Sequence, residues 1–172
     1  MQDTLNRLFA FKAWADDALL TELFRHSDKP QLLGPAIQAL SHTFVVDQIF
    51  AAHLRRRSHA YRSTNLTEPP TLQALAADLR ASDRRFIDYV ATLSPAQRAE
   101  TIDFVFTDSA PGRMSREEML MHVITHGVGH RGQVSALMLL HSQAPAPDGF
   151  TRFLHEAEAA TRQRTSAQVA AI

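Results

Sequence analysis

SREEMLMHVITHGVGHRGQVSALMLL, residues 115–140, reads as one long helix and sets the terms for the rest of the chain. Ser115 followed three residues later by Glu118 is a capping-box signature. Met119, Leu120, Val123, Ile124, Val134, Leu137 and Met138 carry a helical apolar period to about Leu140. Within that period stand His122, His126 and His130, four residues apart. Four residues is about one turn, so neighbouring members share a face with Cβ atoms ~5–6 Å apart. Two such imidazoles can converge on one ion at ~2.0–2.1 Å from each nitrogen. Three in a row cannot, because the outer two are about two turns apart; one of them stands outside the ligand set. The histidine face also bears Met119, Val123 and Leu137, so it points inward. Gly127, Gly129 and Gly132 each cost roughly 1 kcal/mol relative to alanine in a helix interior. Gly129 lies on the histidine face, where a ligand, ion or neighbouring helix could use the room.

If the pair holds an ion, a third ligand is expected from another helix. Residues 3–25 place Leu5, Leu8, Phe9, Ala15, Leu19, Leu20 and Leu23 on an apolar face, with Asp3 positioned as N-cap. Ser27–Pro30 breaks that helix, and Gly34-Pro35 opens a second, with proline in the first turn. Ile37, Leu40 and Phe44 lie opposite Val45, Val46 and Ile49, so this helix is apolar on two sides and packs inside the structure. His42 shares the face of Val45, Val46 and Ile49 and is the best candidate. His53 is three turns further, ~16 Å along the axis. It stands beside Arg55, Arg56 and Arg57 at a helix end, which suits a solvated cluster complementing the helix dipole. Asp47 lies off the His42 face and reads as structural.

Ser58–Pro70 is a polar excursion. Thr71 caps a third helix with Leu72, Leu75, Leu79, Phe86, Ile87 and Val90, closed by Ser94-Pro95. Ile102, Phe104 and Phe106 alternate as one short strand, and Pro111-Gly112 turns the chain. Residues 144–147, APAP, end the histidine helix; Phe150, Phe153, Leu154 and Ala157 mark a short last helix. The expectation is an all-α four-helix bundle with a short β excursion before its last helix. Residues 1–160 form a single domain, and 161–172 a frayed tail.

Composition narrows the chemistry. There is no cysteine, which removes disulfides, iron–sulfur clusters, thiolate zinc sites and thiol nucleophiles. Lysine plus arginine and aspartate plus glutamate are both 18, so no net charge draws the protein to nucleic acid or anionic membrane. No apolar run approaches the ~20 residues of a membrane span, and the N-terminus lacks a signal-peptide layout; the cytoplasm is the expected compartment. Gly127 sits where a zinc protease would carry the glutamate of HExxH, which disfavours that class.

HVITHGVGHRGQV, residues 122–134, resembles the last-helix signature of the DinB/YfiT-like superfamily of metalloproteins, named for DNA-damage induction and distinct from the similarly named polymerase. FKAWADDALL, residues 11–20, is similar to the family's Trp-Ala-Asn segment, with Asp16 in place of asparagine. LSHTFVVDQIF, residues 40–50, resembles its second-helix segment, with Phe50 where tryptophan is frequent. The resemblance implies an up-down-down-up bundle, often a homodimer, holding one Zn or Ni ion per chain on His42, His126 and His130, with His122 outside the first shell. Related families include enzymes using a low-molecular-weight thiol. The leading expectation is a metal-dependent thiol transferase or hydrolase with an open coordination position. The alternatives are a non-catalytic metal-binding stress protein and a helical interaction module without metal. No general base or nucleophile is legible. Gln133 reads as a group that orients a ligand or fills a core hydrogen bond, and Trp14 as core or dimer packing.

Overall fold

A computed structural model describes residues 3–162. It is predominantly helical, with one small antiparallel sheet. The order is α1 (Thr4–Arg25), α2 (Pro30–Leu54), α3 (Leu72–Ala91), α4 (Pro95–Arg98), β1 (Thr101–Val105), β2 (Pro111–Ser115), α5 (Arg116–Leu140), α6 (Phe150–Ala157) and α7 (Ala159–Arg162). The four long helices pack in a ring: α1 against α3 and α5, and α2 against α3 and α5. No described helix is long and apolar enough to cross a membrane.

Several local signals behave as the residues dictate. Thr71 Oγ1 accepts from Ala74 N–H and starts α3. Ser115 and Glu118 form both halves of a capping box on α5. Other expectations are corrected. Helix α2 begins at Pro30, not at Gly34-Pro35; Pro30 takes the first-turn position that tolerates a missing N–H, and Pro35 lies inside the helix. Asp3 is the N-cap of α1 but makes no side-chain cap bond, because its carboxylate pairs with Arg98. Ser94-Pro95 does more than close α3: it opens the one-turn α4 through its own capping box. The single expected strand is half of a hairpin in which Val105 pairs with Pro111 and Phe104 with Gly112. The turn falls at residues 106–110, with Ser109 left-handed at φ 71°. Gly112 therefore serves packing rather than turning. A Cβ there would come within 2.5 Å of the Phe104 ring. The first two residues of the expected tail, 161 and 162, close α7; the remainder lies outside the described residues.

The core is two large apolar blocks separated by a polar layer, with a small third cluster of Phe11, Ala15 and Phe153 where α6 meets α1. One block holds Leu5, Phe9, Phe50, Phe86, Ile102, Met119 and Val123. The other holds Leu19, Leu23, Leu40, Leu75, Leu79, Val134 and Met138. Between them each long helix contributes buried polar groups: Lys12 and Asp16 from α1, Asp47 from α2, Ser82 and Asp83 from α3, Arg131 from α5. Lys12 Nζ donates to Asp16 Oδ2 at 2.9 Å and Asp83 Oδ1 at 2.7 Å. It also lies 3.0 Å from Asp47 Oδ2, an ion pair without hydrogen-bond alignment. Arg131 Nη1 donates to Asp16 Oδ1, and its Nε and Nη2 reach Asp148.

The charges answer one another. Burial pulls the Lys12 ammonium toward neutrality, but Asp16, Asp47 and Asp83 more than offset it and hold Lys12 well above its usual value. Burial raises Asp16, yet Lys12 and Arg131 outweigh that and keep it ionised below its ordinary value. Burial wins at the other two carboxyls, pushing Asp47 up to about 6 and Asp83 up to about 7.

Removing one partner from such a cluster strands buried charge, so Lys12→Met is expected to destabilise the fold by about 3–5 kcal/mol. Loss of the ammonium raises the carboxyls further, so the folded variant holds more protons at Asp47 and Asp83, relative to its unfolded state, than the parent does. The deficit therefore grows from pH 5 to pH 8. Urea unfolding of both proteins across that range measures it; a pH-independent deficit would contradict the charge assignment.

Candidate metal centre

His42 stands on α2 in the stretch between the two apolar blocks, and His126 and His130 occupy the matching stretch of α5. The helices therefore bring all three together at the level of the polar layer. One ring nitrogen from each lies within 4.8 Å of the other two. His126 Nε2 is 3.1 Å from His42 Nε2 and 3.2 Å from His130 Nε2. All three side chains are half-buried. Over His42 and His130 opens a cleft of about 360 Å³, whose lining includes Gln38, Asn65 and Gln133.

The protons of this group can be traced. His42 Nδ1 is 3.0 Å from the Thr64 carbonyl, which only accepts, so Nδ1 carries the hydrogen and Nε2 is bare. His130 Nδ1 is 3.0 Å from Gln133 Oε1, and with the amide oriented that way its Nε2 is bare too. Two lone pairs thus face His126 Nε2. A proton there can satisfy only one of them well. A proton at His126 Nδ1 instead would be buried with no partner among the described residues, leaving three lone pairs in contact. A cation at the centre removes the conflict.

Electrostatics favour uncharged rings. Burial holds His42 below the ordinary imidazole value and the His130 ring adds to this, with the Thr64 carbonyl opposing. Burial also pushes His126 down to about 4, aided by His130, His42, His122 and Lys12. Neutral imidazole is the form that binds a metal. His122 stacks on Phe50 at 4.5 Å and on His126 at 5.4 Å, and its nitrogens are not in the cluster.

A model of the DinB family matches residues 1–165. The chain belongs to the DinB family. No curated protein and no solved structure matches it. In this DinB-family chain the residues singled out from sequence fall as follows. His42, His126 and His130 converge, His122 stands beside them, and Gln133 holds a ring. Gly129 and Gly132 face open space with nothing within 4 Å, whereas Gly127 is the glycine covered by Lys12 and Arg131. His53 is buried at 8% exposure rather than solvated, because the hairpin lays Phe104 4.7 Å from its ring. Trp14 packs within the chain against Phe11 and Phe153. Sequence reasoning missed Thr64, whose carbonyl orients His42. No residue-type signal marks a main-chain acceptor on a loop. It also missed Lys12, Asp83 and Arg131, although Lys12 and Asp16 at four-residue spacing within an apolar helix are a visible sign of a buried pair.

In the metal-free protein, His126 is expected to titrate near 4, staying neutral where an exposed imidazole is already charged. Histidine Cε1–H chemical shifts followed from pH 8 to pH 3.5 will read this directly. A His126 midpoint at the ordinary imidazole value would overturn the description of a desolvated, mutually repelling trio.

Proposed function

We propose that the four long helices form the up-down-down-up bundle implied by the resemblance, as one domain over residues 1–160. In this reading His42, His126 and His130 hold one divalent ion, zinc or nickel. The observation that carries the reading is the nitrogen spacing. Donors at ~2.0–2.1 Å around a tetrahedral ion lie ~3.3 Å from one another, and the two Nε2 separations at His126 are 3.1 and 3.2 Å. The hydrogen bonds from His42 to Thr64 and from His130 to Gln133 support it further, since ligating histidines ordinarily give their second N–H to such an acceptor. Bound there, the ion supplies Lewis-acid activation of a water or a thiol.

The chain's own residues favour the thiol. Among the described residues the cleft lining includes His42, His130, Gln38, Asn65 and Gln133 but no carboxylate or lysine, so none of them offers a carboxylate or amine base to a bound water. A thiol is acidic enough to ionise on metal binding alone, and the chain has no cysteine to compete for the ion. Gln38 and Asn65 offer amide groups to orient a small polar substrate at the mouth. The reading is thus a metal-dependent transferase acting with a low-molecular-weight thiol. We also propose a homodimer, supported by exposed Met121, Val128, Leu139 and Leu140 along α5.

Untagged protein is expected to bind about one Zn²⁺ or Ni²⁺ per chain by elemental analysis. His42→Ala, His126→Ala and His130→Ala should each lose most of it, and His122→Ala little. Full occupancy in the His126→Ala/His130→Ala protein would sink the metal assignment. Addition of glutathione, bacillithiol or mycothiol should alter the visible spectrum of the cobalt-substituted protein and support metal-dependent conjugation of small electrophiles. Silence in both assays would remove the thiol reading alone. Light scattering should give twice the 19.2 kDa chain mass.

A further inference from the structure

The far end of α2 carries a second cleft, separate from the histidine trio. It measures about 710 Å³ and lies between the residues following α2 and the β1–β2 hairpin. Helix α2 ends in a Schellman motif. Arg57 N–H bonds the Ala52 carbonyl at 3.0 Å, and Arg56 N–H bonds the His53 carbonyl at 2.9 Å. The residue that must turn left-handed in this motif is usually glycine; here it is Arg56, at φ 52°. Its guanidinium pairs with Glu100. Residues from this turn, among them Arg57 and Arg62, line the cleft together with the hairpin.

The walls of this cleft combine two unspent chemistries. Arg57 and Arg62 are exposed and make no ion pair among the described residues. Asp103, the acidic side chain among the described lining residues, is paired with Arg113. Facing the arginines is an aromatic surface. Phe104 and Phe106 meet edge to face at 4.8 Å, and Phe106 is 44% exposed. His53 forms part of the lining. Its Nε2, and Nδ1 of His59 beside it, are buried without a hydrogen-bond partner among the described residues. The two rings lie 5.1 Å apart. Burial, with the His59 ring adding to it, holds His53 below the ordinary imidazole value. That ring is therefore a neutral hydrogen-bonding group, and the cationic charge of the cleft comes from the arginines.

We infer that this cleft is a binding site for a small aryl oxyanion, an aryl carboxylate or aryl phosphate. Arg57 and Arg62 take the anionic group by charge-assisted hydrogen bonds. Phe106 takes the flat apolar body over the edge of the largely buried Phe104, with His53 and His59 in the same lining. The two sites are ~16 Å apart along α2, from the eleven-residue step between His42 and His53. Binding here is therefore independent of the metal.

The probes are phenyl phosphate and benzoate, with inorganic phosphate and benzyl alcohol as the anion-only and ring-only controls. Titrations are followed by backbone amide shifts in the full chain. At least one aryl anion is expected to saturate in the submillimolar range, with shifts at residues 53–62 and 103–109. Each control should bind at least about tenfold more weakly. Whichever aryl anion binds more tightly identifies the headgroup. Arg57→Ala/Arg62→Ala should weaken binding about tenfold or more, since both side chains are exposed and their loss leaves the core intact. Phe106→Ala should weaken it without changing binding of inorganic phosphate. The His126→Ala/His130→Ala protein should bind as the parent does, which separates this site from the metal reading. Failure of both aryl anions to saturate by about 10 mM would overturn the proposal. So would wild-type affinity in the double arginine variant, or either control binding as tightly as the aryl anions.

Discussion

One ammonium group in the middle of the helices has to satisfy three carboxylates. Lys12, Asp16, Asp47 and Asp83 come from three different helices, and all four are buried. A lysine taken out of water costs several kcal/mol unless its partners are in place. The cluster is stable only when α1, α2 and α3 meet at one axial level. Apolar packing tolerates small slides between helices, because one leucine contact resembles another. Ion pairs at 2.7 to 3.0 Å do not. Two apolar blocks supply the bulk of the burial, and the layer between them fixes the registry at which they assemble.

Helix α5 is tied to that level by Arg131, which spans Asp16 on α1 and Asp148 in the segment before α6. Gly127, one turn earlier, lies against the Lys12 side chain with only ordinary van der Waals room for a Cβ. Gly127 and Arg131 form one row on α5; His126 and His130 form the adjacent row, displaced by one residue. Anchoring the first row sets the rotation of the helix and therefore the direction of the second. The histidines meet His42 because the charge cluster has turned them toward α2. The same proximity puts Lys12 among the groups that lower His126, so the ammonium that orders the helices also helps keep the central imidazole neutral.

The sequence made some of this legible and hid the rest for identifiable reasons. The trio could be read because four-residue spacing places His126 and His130 on one face, and because His42 shares a face with Val45, Val46 and Ile49. The charge layer could not be assembled, because Asp47 and Asp83 look like ordinary breaks in apolar periodicity. Only the tertiary fold shows that both point at Lys12. Pro111-Gly112 misled because proline and glycine mark turns far more often than they mark a strand edge and a gap beneath a phenylalanine ring. His53 misled in the same way. Its arginine neighbours indicated solvent, yet the hairpin, distant in sequence, covers it.

The division of labour within the polar layer explains why the histidine site can stay soft. Ionised carboxylates beside a trio of imidazoles would ordinarily favour the protonated rings and hold them charged. Here Asp16 is committed to Lys12 and Arg131, Asp148 is committed to Arg131, and Asp47 and Asp83 are drawn toward the ammonium. What hydrogen-bonds the two outer rings is a carbonyl at Thr64 and an amide at Gln133, groups that orient an imidazole without protonating it. A centre built this way keeps three ring nitrogens together, with an open cleft on one side. The rigid charge cluster does the positioning, and the uncharged outer partners leave the histidines free to share a cation.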